Sequence, residues 1–157
     1  MRSGRRIVLG FTTLGWIPTV LLVGLLWASE SRAVQERTPI MVTRLYTGED
    51  GQTHAERYEV PLGEQRGATE LSEPVDVESL QFRRTSTEYD LDFHNAPRRQ
   101  YVITLSGESE VELGDGTRIR LYPGHILLAE DVEGQGHISR AVGDRDRVSL
   151  FIPLAEQ

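Results

Sequence analysis

Three side chains dominate the chemistry this sequence offers: His94, Gln100 and His137. An imidazole can ligate a divalent metal through one ring nitrogen. It can also pass a proton near neutral pH, because its unperturbed pKa is ~6.5. An amide adds a neutral oxygen donor. The three lie in separate strand-like stretches, and a small β-barrel would turn them toward one interior. Three uses stay open: a divalent metal site, a metal-free acid–base pocket, or polar barrel residues bonded to their neighbours. His125 follows a Pro-Gly turn and is expected at the surface. His54 joins the set only if folding brings the first hairpin near.

Arg98 and Arg99 are the substrate-binding candidates. A guanidinium at a pocket mouth holds a carboxylate or phosphate through two parallel bonds. Adjacent residues on an extended segment face opposite ways, so one of the two should reach the mouth. The competing reading, structural ion pairs in an acid-rich domain, is the favoured one. Ser139 should share the face of His137, with Arg140 on the other side. Glu130 and Asp131 read as solvated loop acids rather than a hydrolytic pair.

Composition removes several classes. The chain has 157 residues and no cysteine, which excludes disulfides, thiolate metal sites and a cysteine nucleophile. All 17 basic residues are arginine, so Schiff-base and phosphate-loop lysines are excluded too. Net charge is -7; setting aside residues 1–33 leaves 13 basic residues against 23 acids. So acidic a domain is a poor partner for nucleic acid.

The elements that would position these groups are β-strands. Strand-like runs cover 40–46, 57–62, 79–84, 89–94, 101–105, 125–128, 136–142 and 148–153, with 63–78 as a loop. The clearest element is a hairpin. Val111 and Leu113 alternate with Glu110 and Glu112; Ile119 and Leu121 alternate with Arg118 and Arg120 across Gly114-Asp115-Gly116. Many short strands with regular turns indicate an all-β sandwich or barrel.

Ahead of these runs, Ile7 to Ala28 holds 22 residues without a charge, preceded by Arg2, Arg5 and Arg6. About 20 apolar residues span a hydrocarbon core, and the arginines should stay cytoplasmic. Residues 1–33 are therefore expected to be a transmembrane signal anchor, with a cleaved signal peptide as the alternative. Residues 34–39 follow as a linker and 40–157 as the barrel domain. The barrel should lie outside the cytoplasm, on a single-pass membrane anchor, or else be secreted or periplasmic.

Matched position by position, the stretch from His94 to His137 resembles the cupin superfamily. The first cupin motif places two histidines one residue apart, then a glutamate, then a glycine seven positions later. His94, Gln100 and Gly107 occupy the first, third and fourth places, and Ala96 stands where the second histidine would be. Gly124 and His137 fit the second motif. The Ala96-Pro97-Arg98-Arg99-Gln100 and Leu128-Ala129-Glu130-Asp131 segments, with Gly136-His137, resemble a subgroup of small single-domain cupins. The resemblance implies a double-stranded β-helix, or jelly-roll barrel, enclosing a small-molecule ligand, and pairing of two copies as a homodimer. It also implies a divalent ion (Fe, Zn, Ni or Mn) on His94, Gln100 and His137, with either an enzyme or a non-catalytic binding module as the outcome.

Overall fold

The computed structural model describes residues 37–156. The expected anchor at 1–33 and half of the linker lie outside the described residues. Among the described residues there is no helix, and none is long and apolar enough to cross a membrane.

The chain forms twelve strands: β1 Met41–Thr47, β2 Thr53–Glu59, β3 Glu64–Arg66, β4 Thr69–Leu71, β5 Gln81–Thr85, β6 Asp90–His94, β7 Gln100–Ser106, β8 Glu108–Glu112, β9 Arg118–Leu121, β10 Ile126–Glu130, β11 His137–Val142 and β12 Arg147–Pro153. Six of them make one sheet, in the order β2-β1-β10-β7-β12-β5. Four make a second, β6-β11-β8-β9, and β3 and β4 form a separate hairpin. All pairings within the sheets are antiparallel except β1 with β10.

Period-two burial shows which face of each strand is inside. Along β12, Arg147, Ser149, Phe151 and Pro153 are buried while the residues between them are half-exposed. The core cluster draws Leu45, Val102, Leu127 and Phe151 from the large sheet. It draws Val111, Leu113 and Leu121 from the β8–β9 hairpin of the small one. One cluster fed from both sheets means that the sheets face each other. Burying each such side chain stabilises by about 1.5–3 kcal/mol, and this apolar contact is what holds the two layers together.

The hairpin forms as its alternation predicts. Glu110 lies opposite Arg120, and Glu112 opposite Arg118. Its ion pairs run directly across, with Arg118 reaching Glu112 at 3.1 Å, and diagonally, with Arg120 reaching Glu108 at 2.7 Å and Arg118 reaching Glu110 at 3.5 Å.

Two expected boundaries shift. β2 starts at Thr53 rather than 57, because its register is set by pairing with β1 from Thr47↔Thr53 onward and not by an apolar pattern of its own. The segment 63–78 is not loop throughout. It holds the β3–β4 hairpin, whose residues, polar and exposed apart from the half-buried Leu71, carry no periodic signal.

Candidate functional site

A cavity of ≈ 220 Å³ lies between the two sheets. His94 ends β6 and His137 begins β11, and the two are direct cross-strand partners. Their rings sit 4.5 Å apart, inclined at 56°. Gln100, the first residue of β7, lines the same cavity and is buried. The three side chains singled out from sequence are thus gathered in one place. Ala96 lines the cavity too, so a methyl group stands where the resemblance puts a second histidine.

Each imidazole is held by its Nδ1. His94 Nδ1 donates to the Asp92 carbonyl at 2.8 Å. His137 Nδ1 donates to Asp131 Oδ2 at 2.5 Å, and the same oxygen accepts the Thr53 hydroxyl at 3.1 Å. A proton fixed on Nδ1 leaves Nε2 as the acceptor of the ring. Both histidines therefore offer a lone pair in a set orientation.

Asp131 is the hub that sequence reading missed. It is fully buried, at 0% exposure, not solvated. Its carbonyl accepts the Ala96 amide at 3.1 Å and the Asn95 side chain at 3.3 Å, tying the β10–β11 loop to the His94 segment. Asn95 also bonds the Glu133 carbonyl at 2.7 Å. The neighbouring Glu130 points the opposite way. It is gripped by Arg44 Nε at 2.5 Å and Arg99 Nε at 2.8 Å. Burial pushes the Glu130 carboxyl up, but the two guanidiniums outweigh it and hold it below the ordinary value. Adjacent acids with opposite surroundings follow from strand alternation, the signal that would have separated them.

Arg98 and Arg99 do not line this cavity. Arg98 pairs with Glu78 at 3.0 Å and Arg99 with Glu130, and both border a separate surface depression. His54 pairs with Asp50 on the first hairpin, away from the cavity. His125 is half-buried rather than at the surface, and its Nε2 has no partner among the described residues. Ser139 shares the cavity with His137, while Arg140 pairs with Glu112 and Asp90.

Burial lowers the pKa of both His94 and His125; the His137 ring adds to the effect at His94, and Arg57 at His125. The folded state therefore disfavours protonation that the unfolded chain accepts near pH ~6.5. This contribution to stability is complete above that pH and is lost as pH falls through it toward the lower folded-state values. The urea midpoint should drop between about pH 7.5 and about pH 5. A His94→Gln/His125→Gln double variant should show a flatter profile across that window. An unchanged slope in the double variant would count against these two groups.

The charge of the cavity bears on the implied metal. Arg83 and Arg147 line it, and no carboxylate does. Among the described residues no three His, Cys, Asp or Glu side chains cluster as metal ligands. Two imidazoles and a neutral amide, in a wall that also carries guanidinium charge, do not fit a divalent cation.

No family model matches this sequence, and no curated protein matches it. Among solved structures it is similar to an RmlC-like cupin protein from Desulfovibrio desulfuricans, at 16% identity and a TM-score of 0.36 over 79% of this chain and 95% of that one. It is similar to the cupin domain of Schizosaccharomyces pombe Cnp3, at 11% identity and a TM-score of 0.37 over 75% of this chain and 86% of that one. A putative ethanolamine utilization protein from Salmonella typhimurium gives 15% identity and a TM-score of 0.35, over 76% of this chain and all of that one. These TM-scores lie below 0.5, and the architecture rests on the chain's own strand pairing and two-sided core.

Proposed function

We propose that this chain is a cupin-type barrel that binds a small molecule between its two sheets, held outside the cytoplasm by the apolar run 7–28. The observation that carries the reading is the cavity itself. Two imidazoles stand side by side in it, each held at Nδ1, and each in its neutral form offers Nε2. Paired acceptors of this kind call for a ligand with an O–H or N–H donor. The volume lies below the roughly 300–1,000 Å³ of drug-sized sites, so the ligand has few heavy atoms. Either imidazole can also accept a proton from a bound hydroxyl, and binding is thus the first step of a carrier or of an acid–base catalyst alike.

The test uses the full chain in detergent, with the imidazole resonances followed by NMR. Three probes of similar size are titrated: propane-1,2-diol, lactamide and lactate. At least one should move the His94 and His137 resonances while leaving His54 unmoved. If none of the three moves either cavity histidine, the ligand-binding reading falls.

A further inference from the structure

Arg147 is the least expected residue in the cavity. It is on the inward row of β12 and only 7% exposed. Its Nη1 donates to the Ser109 hydroxyl, a neutral acceptor. Its Nε is buried without a partner, and it forms no ion pair with any described carboxylate. Ser149, next on the same inward row, is likewise buried with an unpartnered hydroxyl. Arg83 stands across from Ser149 in the β5–β12 pairing and also lines the cavity. Its guanidinium lies 3.7 Å above the Phe151 ring, and no described carboxylate pairs with it either.

An arginine does not shed its charge in a protein. A buried guanidinium without a counter-charge is costly, and proteins normally pair it. Burial acts against the charged form of Arg147, Tyr89 offsets this in part, and Arg83 adds to it. Elsewhere in this domain arginines find acids readily, as Arg44, Arg99, Arg118, Arg120 and Arg140 do. Arg57, Arg83, Arg84 and Arg145 also lack an acid, but all four are exposed to water; among the described arginines Arg147 alone is buried without a counter-charge.

We propose that the missing counter-charge is the ligand: Arg147, with Arg83 at the more exposed side, holds the carboxylate of a small hydroxy acid whose hydroxyl donates to the histidines. This assignment rests on the ligand-binding reading above and specifies its chemistry. A guanidinium takes a carboxylate through charge-assisted, often two-point, hydrogen bonds. Arg147 Nη2, which no described residue bonds, is one such donor, and the orphaned Nε–H of the same guanidinium reports on its occupancy. The imidazole acceptors then require a donor elsewhere on the same molecule. The same wall explains why the cation implied by the resemblance finds no seat here.

Lactate and lactamide differ only in the carboxylate, so they isolate the charge. With the full chain, calorimetry should show lactate binding at least about tenfold tighter than lactamide. Lactate alone should shift the Nε–H resonance of Arg147. In Arg147→Met the preference should vanish while the two ligands bind alike. That variant should fold, because an apolar side chain replacing an unpaired buried charge is neutral or stabilising. Should it fail to fold, the Nε–H resonance of the unaltered chain decides the matter by itself. Equal binding of lactate and lactamide, or lactate binding that leaves the Nε–H unmoved, overturns the anion assignment and leaves the ligand-binding reading standing. Silence of the cavity histidines toward all three probes removes both.

Discussion

Gly136→Ala should destabilise the barrel by roughly 2–5 kcal/mol, read as a shift of the urea midpoint at constant slope. Two costs combine. Residue 136 has φ +75°, where an L side chain pays about 1–2 kcal/mol. A Cβ there would also lie 2.2 Å from the His94 carbonyl oxygen and 2.4 Å from its carbon. These are backbone atoms of a paired strand, so relief means moving β6 away from β11. Gly116→Ala isolates the first cost, since φ is +84° and nothing lies within 4 Å of its Cβ. The difference between the two variants measures the contact that keeps the histidines adjacent. Equal losses would mean that the strands part without resistance, and the fixed geometry of the imidazole pair would go with them. The Gly136 variant should also lose ligand binding at temperatures where it remains folded.

Asp131→Ala carries the second large effect. The substitution leaves the His137 Nδ1–H and the Thr53 hydroxyl without their acceptor, both in buried surroundings. Each abandoned donor costs about 1–3 kcal/mol, so a loss of roughly 2–5 kcal/mol is expected. Asp131→Asn keeps one oxygen able to accept and should cost markedly less. The functional consequence is separate from stability. Asp131 does not line the cavity; on the proposed reading it acts through His137, by holding Nδ1 and leaving Nε2 for the ligand. With the acceptor gone the ring can turn over and the tautomer is no longer set. The expected signature is weaker ligand binding together with a changed His137 tautomer in ¹⁵N spectra. A destabilised variant that still shows the original tautomer would reduce Asp131 to a structural role.

The parts of this molecule that could be read from sequence are those with a periodic or positional signal. The β8–β9 hairpin was legible because Val111, Leu113, Ile119 and Leu121 alternate with charges of opposite sign on the two arms. His94, Gln100 and His137 were legible as a set because motif spacing fixes them relative to Gly107 and Gly124. Asp131 was not, because an acid next to another acid in a turn-rich stretch looks solvated. Only the end of β10, with Glu130 outward, shows that its neighbour must point in. Arg147 was hidden in the polar run Gly143-Asp144-Arg145-Asp146-Arg147. Its inward direction emerges only from the phase of β12, counted back from Phe151. The strands β3 and β4 bury no side chain fully and so left no trace in the pattern.

The order of the large sheet reaches beyond the site. β12, last in the chain, lies between β7 and β5, and β1 waits for β10 across eighty residues. Neither sheet face can be covered while synthesis has yet to reach residue 153. Pairings so distant in sequence form late and slowly. The topology that draws the cavity wall from strands β5 to β12 thus also withholds the cavity until the last of them is in place.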